Sequence, residues 1–269
     1  MCGIIAAATD RSVGKLLIKG LHKMEYRGYD SSGIALHQET EIAHLRSLGK
    51  VKLLEERMIQ EKPKGKVGIA HTRWATHGEP SETNAHPHSS KGRVFIVHNG
   101  IIENYIELKE ELSSEGYSFS SQTDSELIAH ILDYYLTKGQ GMIDAMFSLK
   151  QKLNGAYAIA GIDQHDSEKF YLIRNKSPLL IGVSCDAHYA VSDPLAITDL
   201  TDNFIFLEDG DVAEASSQSL TIFDENQKKV EREIMQLNIS AESSSKGDYQ
   251  HFMEKEIFEQ PNAILNTID

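Results

Sequence analysis

Cysteine, positive charge and long apolar runs are all scarce in this sequence. Its 269 residues include only two cysteines, Cys2 and Cys185. Two cysteines cannot build a disulfide framework, so we expect a reducing, cytoplasmic compartment. No run of about eighteen apolar residues occurs, so we expect no membrane span. The apolar stretch 2–8 has no basic residue before it, which argues against a signal peptide.

Acidic residues outnumber basic ones. Lysine and arginine total 27 against 40 aspartates and glutamates, which gives a formal net charge of -13. An acidic chain repels a phosphate backbone and an anionic membrane surface, so we expect neither nucleic acid nor membrane as a partner. Hydrophobic residues make up 40% of the chain and charged residues 25%, a balance typical of a globular protein with a full core.

Apolar runs of strand length recur along the chain. The predicted strands are 3–8, 33–36, 67–70, 94–97, 156–162, 170–173, 179–183, 204–207 and 220–223. Helical spacing of apolar residues occurs at 13–24, 103–112, 124–136 and 143–153. Several strands follow residue 155 without an intervening helix, which does not fit parallel βαβ alternation. We therefore predict an α+β fold in which helices sandwich two mainly antiparallel sheets.

A polar segment near residue 240 predicts a domain boundary. Residues 240–248 (SAESSSKGD) are small and polar, which is typical of a linker. Apolar residues then recur with helical spacing from Tyr249 to Phe258, and Pro261 is expected to begin another short helix. So short an amphipathic piece rarely folds alone. We predict a principal domain over 2–239 and, over 240–269, a linker with the first helical element of a second domain.

The second residue is the first candidate for chemistry. If Met1 is removed, Cys2 gains a free α-amino group that titrates at about pH 8, beside a thiol that titrates at about pH 8.5. One residue then supplies both a nucleophile and a base suited to neutral pH. The alternative is that Cys2 packs in a strand as a small apolar residue, the usual fate of a free cysteine.

Four further blocks carry polar residues suited to binding an amino acid. They are EYRGYDSSG (25–33), HTRWATHGEP (71–80), VHNGIIENY (97–105) and QTDSE (122–126). The planar guanidinium of Arg73 can grip a carboxylate. Thr76 and the backbone around His77 can add hydrogen bonds to the same group.

The last two blocks supply an anion and hydrogen-bond donors. Asp124 could meet a substrate ammonium group, or it could cap the helix that follows. Asn99 offers a side-chain NH2, and Gly100 lets a backbone N–H come close, so together they could form an oxyanion hole. The alternative for Asn99 and Gly100 is a tight turn.

The remaining residue clusters and motifs predict neither a metal site nor a cofactor site. Histidines cluster at positions 71, 77, 86, 88 and 98, but the HEXXH pattern and the paired cysteines of zinc sites do not accompany them. Neither a GxGxxG nor a P-loop pattern occurs in the sequence. Cys185 is expected to pack rather than to act as a second nucleophile.

Together with the start MCGI, these blocks resemble the glutaminase domain of class II glutamine amidotransferases. The resemblance runs over essentially the whole chain. It implies the four-layer αββα fold of N-terminal-nucleophile hydrolases, in which Cys2 would attack the side-chain amide of L-glutamine. Asn99 and Gly100 would hold the oxyanion, and a glutamyl thioester and ammonia would result.

The resemblance also implies how glutamine is held. The residues concerned are Arg73, Thr76 and His77 for the α-carboxylate, and Gly100 with Asp124 for the α-ammonium group. Trp74 would belong to a loop that closes over the site, although plain packing of its ring is the alternative. Arg27 would organise the Cys2 end, with a structural salt bridge as the competing account.

Within this family, the tail GDYQHFMEKEIFEQPNAILNT (247–267) resembles the branch that aminates fructose 6-phosphate. That implies transfer of ammonia to a second, sugar-phosphate isomerase domain, with a homodimer as a candidate assembly of the full-length form. Two alternatives stay open. One is a class II amidotransferase that acts on phosphoribosyl pyrophosphate or aspartate, and the other is a non-catalytic glutamine-binding domain.

Overall fold

The computed structural model describes residues 2–75, 78–237, 249 and 252–268. The chain divides into two compact units, Met1–Leu237 and Asn238–Asp269. The predicted linker, 240–248, lies outside the described residues, as do Thr76 and His77. No helix in the described part of the chain is long and apolar enough to cross a membrane.

The described residues of the first unit form fifteen strands and five α-helices. The strands are β1 (Gly3–Thr9), β2 (Ser31–His37), β3 (Ile42–Leu48), β4 (Val67–Arg73), β5 (His88–Ser90), β6 (Val94–Ile102), β7 (Gly155–Asp163), β8 (Phe170–Asn175), β9 (Leu180–Ser184), β10 (Ala187–Val191), β11 (Asn203–Phe206), β12 (Val212–Ala215), β13 (Leu220–Phe223), β14 (Lys229–Val230) and β15 (Ile234–Gln236). The helices are α1 (Gly14–Met24), α2 (Val51–Glu61), α3 (Tyr105–Ser114), α4 (Glu126–Thr137) and α5 (Met142–Lys152). The second unit contains α6 (Phe252–Ile268).

The strands form two antiparallel sheets. The first has the order β15-β11-β9-β10-β1-β4-β2-β3, and the second has the order β14-β13-β12-β8-β7-β6-β5. Strand β1 is central in the first sheet, because it pairs with β10 on one side and with β4 on the other, where Gly3 lies opposite Thr72. In the second sheet, Asn99 of β6 lies opposite Ala158 of β7. The start of β1 and the end of β6 are therefore fixed by strand ladders.

Side-chain alternation along these strands builds the layers. Ile4 packs in the core between the two sheets, whereas its neighbour Ile5 packs against α1. Phe95 likewise enters the core between the sheets, whereas Ile96 packs among α3, α4 and α5. The layers are α1 and α2, the first sheet, the second sheet, and α3 to α5. The predicted αββα sandwich is confirmed, and burial of both sheet faces explains why its strands appear as continuous apolar runs.

One prediction about the tail is wrong. Pro261 does not begin a separate helix, because α6 runs through it from Phe252 to Ile268. Proline removes one backbone hydrogen bond from a helix, but its fixed φ is compatible with the helical conformation. The helical pattern from residue 252 to 258 and the one after Pro261 are therefore parts of the same element.

Candidate active site

The five sequence blocks meet at one end of the sandwich, where the two sheets face each other. Cys2 directly precedes β1, and Arg73 ends the neighbouring β4. Asn99 lies on β6 of the second sheet, and its side-chain Nδ2 donates to the backbone carbonyl of Cys2 over 3.1 Å. This hydrogen bond joins the two sheets at the position of the predicted nucleophile.

The Cys2 thiol is half-buried and is hydrogen-bonded by the backbone of Trp74. The Trp74 N–H donates to Sγ over 3.2 Å, and Sγ lies 3.6 Å from the Trp74 carbonyl oxygen. Burial raises the pKa of the Cys2 thiol above its usual value, and the Trp74 N–H offsets only part of that rise. The thiol is therefore protonated at neutral pH, and a base must remove its proton before it can attack a carbonyl.

The backbone at Gly100 has a conformation that requires glycine. Its φ is 133°, and a Cβ atom at this position would lie 2.0 Å from the carbonyl oxygen of Ala156. Gly100 therefore belongs to a strand that lies close against β7, rather than to the tight turn that was the alternative for Asn99 and Gly100. The Gly100 N–H directly follows Asn99 in the chain, so the two candidate oxyanion donors are adjacent in β6.

Arg73 is buried under the loop that follows β4. Its guanidinium donates to the carbonyl oxygens of Gly78 over 3.2 Å and Glu79 over 3.4 Å, and it lies 3.6 Å from Asp30 Oδ1. Asp30 also accepts a hydrogen bond from the backbone N–H of Ala75. The guanidinium has five N–H donors, so a substrate carboxylate bound by Arg73 would share them with these loop carbonyls.

Asp124 does not cap the helix that follows it. Helix α4 begins at Glu126, and the Asp124 carboxylate instead accepts from the backbone N–H of Ile102 over 2.8 Å and from the Ser125 hydroxyl over 3.4 Å. The carboxylate is therefore held against the end of β6, two residues beyond Gly100. A buried anion fixed in this way is suited to receive a cationic group.

Trp74 is exposed beside Cys2, whereas the Arg27 side chain is largely buried. The Trp74 side chain is 52% exposed, and its ring lies against the backbone of Gly28. The Arg27 guanidinium forms an ion pair with Asp193 at 3.2 Å and donates to the carbonyl oxygen of Ser192 over 3.3 Å. Ser192 in turn exchanges hydrogen bonds with the backbone of Ile4, so the contacts of Arg27 lead to β1, the strand that directly follows Cys2.

Two supporting groups are missed by sequence reasoning. Gln122 Oε1 accepts from the backbone N–H of Glu79 and from the Asn84 amide, so it ties the loop after β4 to the segment before α4. His71 Nε2 lies 2.9 Å from Asn99 Oδ1. Both residues belong to the blocks that carry the resemblance, but nothing in the sequence indicates which strand or loop each side chain faces.

Comparison with known proteins gives one family. Residues 71–199 match the family described as a glutamine amidotransferase domain. The chain is 48% identical to the glutamine–fructose-6-phosphate aminotransferase (isomerizing) of Haemophilus influenzae, over all of this chain and 44% of that protein. The protein of the same name from Vibrio parahaemolyticus is 46% identical with the same coverage. The chain thus spans less than half the length of the curated relatives it matches.

Two solved structures share the fold at low sequence identity. The glutamine phosphoribosylpyrophosphate amidotransferase of B. subtilis has a TM-score of 0.72 and is 22% identical, over 85% of this chain and 50% of that chain. The allosteric regulatory enzyme of purine biosynthesis has a TM-score of 0.74 at 22% identity, over 84% of this chain and 50% of its own. At this identity the likeness is evidence for the fold alone.

Proposed function

Because residues 71–199 match a glutamine amidotransferase domain and the chain is 46–48% identical to its two curated relatives, we propose that it is a glutamine amidotransferase of the N-terminal-nucleophile class that hydrolyses L-glutamine to glutamate and ammonia through Cys2. The observation that carries this proposal is the 3.1 Å hydrogen bond from Asn99 Nδ2 to the Cys2 carbonyl. It brings an amide donor of one sheet beside the nucleophile of the other. Nucleophile and oxyanion donors are the two groups that acyl transfer needs at the reacting carbon.

The proposed reaction has two steps. The free α-amino group of Cys2 takes the thiol proton, and Sγ attacks the side-chain carbonyl of glutamine. The carbonyl oxygen becomes an oxyanion held by Asn99 and the Gly100 N–H, the C–N bond breaks, and ammonia leaves with the proton. Water then hydrolyses the glutamyl thioester, which releases glutamate and returns the thiol.

The proposed substrate contacts hold the other end of glutamine. Arg73 binds the α-carboxylate, with Thr76 and His77, and Asp124 binds the α-ammonium group with the Gly100 carbonyl. The buried carboxylate beside β6 and the buried guanidinium at the end of β4 support this assignment. Trp74, half-exposed at the Cys2 thiol, is proposed to cover the site, and Arg27 to brace it.

The proposed use of the ammonia is the amination of fructose 6-phosphate to D-glucosamine 6-phosphate in a sugar-phosphate isomerase domain. The names of the two relatives support this, as does the share of their length that this chain leaves unmatched. The identity of 46–48% favours this branch over the phosphoribosyl amidotransferases, whose structures match at 22%. We also propose that the full-length form is a homodimer and that it is located in the cytoplasm.

A turnover assay with two amides tests the proposed function. We expect L-glutamine to yield glutamate and ammonia in equal amounts, and L-asparagine to yield no product. Asparagine is one methylene shorter, so a molecule held by Arg73 and Asp124 cannot bring its amide to Cys2. Glutamine that binds without releasing glutamate would contradict the proposal and favour the non-catalytic alternative.

A further inference from the structure

A group of buried histidines lies behind the candidate active site. His71, His86, His88 and His98 are all almost completely inaccessible to solvent, and the rings of His71 and His86 lie 4.2 Å apart. Among the described residues, no three histidine, cysteine or acidic side chains are arranged to hold a metal ion. Of these four, His71 contacts a residue of the proposed oxyanion hole, because its Nε2 lies 2.9 Å from Asn99 Oδ1.

The hydrogen bonds around Asn99 determine which ring nitrogen of His71 carries a proton. The Cys2 carbonyl can only accept, so the NH2 of Asn99 must face it, and the Asn99 oxygen must then face His71. That oxygen also can only accept, so His71 Nε2 must carry a proton. Burial lowers the pKa of His71 to about 3, so the ring is neutral and its Nδ1 is unprotonated. Nδ1 has no hydrogen-bond partner within the described residues.

Backbone pairing holds the His71 side of this hydrogen bond in place. His71 lies in β4 between two neighbouring strands, opposite Ile4 of β1 and Gly33 of β2. The donor therefore comes from the centre of the first sheet, and the acceptor is on β6 of the second. A buried imidazole in such a place has few rotamers, so it can define the orientation of a more mobile side chain.

We propose that His71 is a positioning residue of the oxyanion hole, which holds the Asn99 amide with its NH2 towards Cys2. This inference rests on the proposed glutaminase function. Without the Nε2–H donor, Asn99 Oδ1 would be buried without a partner, and the amide could rotate to turn its oxygen towards the nucleophile. An oxygen in that place would repel the developing oxyanion instead of stabilising it.

Two substitutions at the same position separate positioning from packing. His71→Asn is too short to reach Asn99 and should lower kcat roughly tenfold to a hundredfold, with KM changed less than about threefold. His71→Gln places an amide N–H near the position of Nε2 and should keep kcat within about threefold of the parent. Equal losses in both folded variants, or full activity of the asparagine variant, would overturn the inference.

A double-mutant cycle with Asn99→Ala tests whether His71 acts through Asn99. In that background His71→Asn should change kcat by less than about twofold, because the amide that it positions is already gone. Losses that multiply would show that His71 acts independently of Asn99 and would contradict the proposal. Melting temperatures identify the folded variants. If His71→Asn does not fold, a folded His71→Gln that loses more than about tenfold contradicts the proposal on its own.

A measurement without turnover separates this inference from the proposed function. The side-chain amide protons of Asn99, identified by their loss in Asn99→Ala, should exchange with solvent more slowly in the parent and in His71→Gln than in His71→Asn. A parent that releases no glutamate would refute the proposed function, whatever the exchange rates. An active parent whose Asn99 protons exchange equally fast in all three proteins would refute only the role of His71.

Discussion

Replacement of Cys2 by alanine is expected to abolish glutamine turnover and to leave glutamine binding in place. Alanine removes the atom that forms the thioester, so kcat should fall roughly a thousandfold or more. The proposed contacts of Arg73 and Asp124 with glutamine do not involve the thiol, so the dissociation constant should change little. Glutamate release and calorimetric binding measure the two quantities on the same preparation.

Cys185 provides the matched control for this substitution. It is the second free cysteine of the chain, and the expectation that it packs is wrong, because it is exposed in the turn between β9 and β10. Cys185→Ala removes the same group and should leave kcat unchanged. Turnover in Cys2→Ala that equals the parent rate would remove Cys2 from the mechanism, and an equal loss in both variants would assign the effect to something other than the nucleophile.

A residue retained ahead of Cys2 is expected to lower turnover about a hundredfold or more. The α-amino group titrates at about pH 8, so a fraction of it is unprotonated and basic at neutral pH, whereas a peptide nitrogen has no basic lone pair. The protonated thiol described above would then lack its base. Burial of the thiol makes this base more important, because it favours the uncharged form of the side chain.

One polypeptide can supply both states for this comparison. A short leader ahead of Cys2 gives the blocked form, and a protease that cuts directly before Cys2 gives the free amine. Mass spectrometry verifies each form, and melting temperature and glutamine affinity serve as controls. Equal glutamate release before and after cleavage would contradict a mechanism that uses the α-amino group.

The central elements of the fold can be predicted from the sequence, and the peripheral ones only in part. Strand β1 has both faces buried, so its apolar run is unmistakable. Strand β3 is an edge strand whose sequence, IAHLRSL, mixes apolar and polar side chains. Helix α2 buries only Val51 and Leu54. Neither contains enough apolar residues at a regular period to be predicted, although the charged residues 55–66 indicate a solvated surface.

For the candidate site, the sequence indicates which residues take part but not how the fold arranges them. The blocks around Arg73, Asn99 and Asp124 are visible in the sequence because each carries residue types suited to one part of glutamine. The strand register that brings Asn99 against Cys2 comes from pairing over long distances in the chain, and so does the contact of Asp124 with Ile102. His71 acquires its proposed role only through that register, so in the sequence it is one of five clustered histidines and has no role assigned to it.

The most direct test of the account is the mass of the protein during turnover. Acid quenching at short times with excess L-glutamine should trap a covalent adduct with the mass of a glutamyl group. Peptide mapping should find that adduct on the N-terminal peptide that begins with Cys2, and should find the Cys185 peptide unmodified. An adduct on any other residue, or continued glutamate release with no adduct at any time point, would contradict a Cys2 thioester.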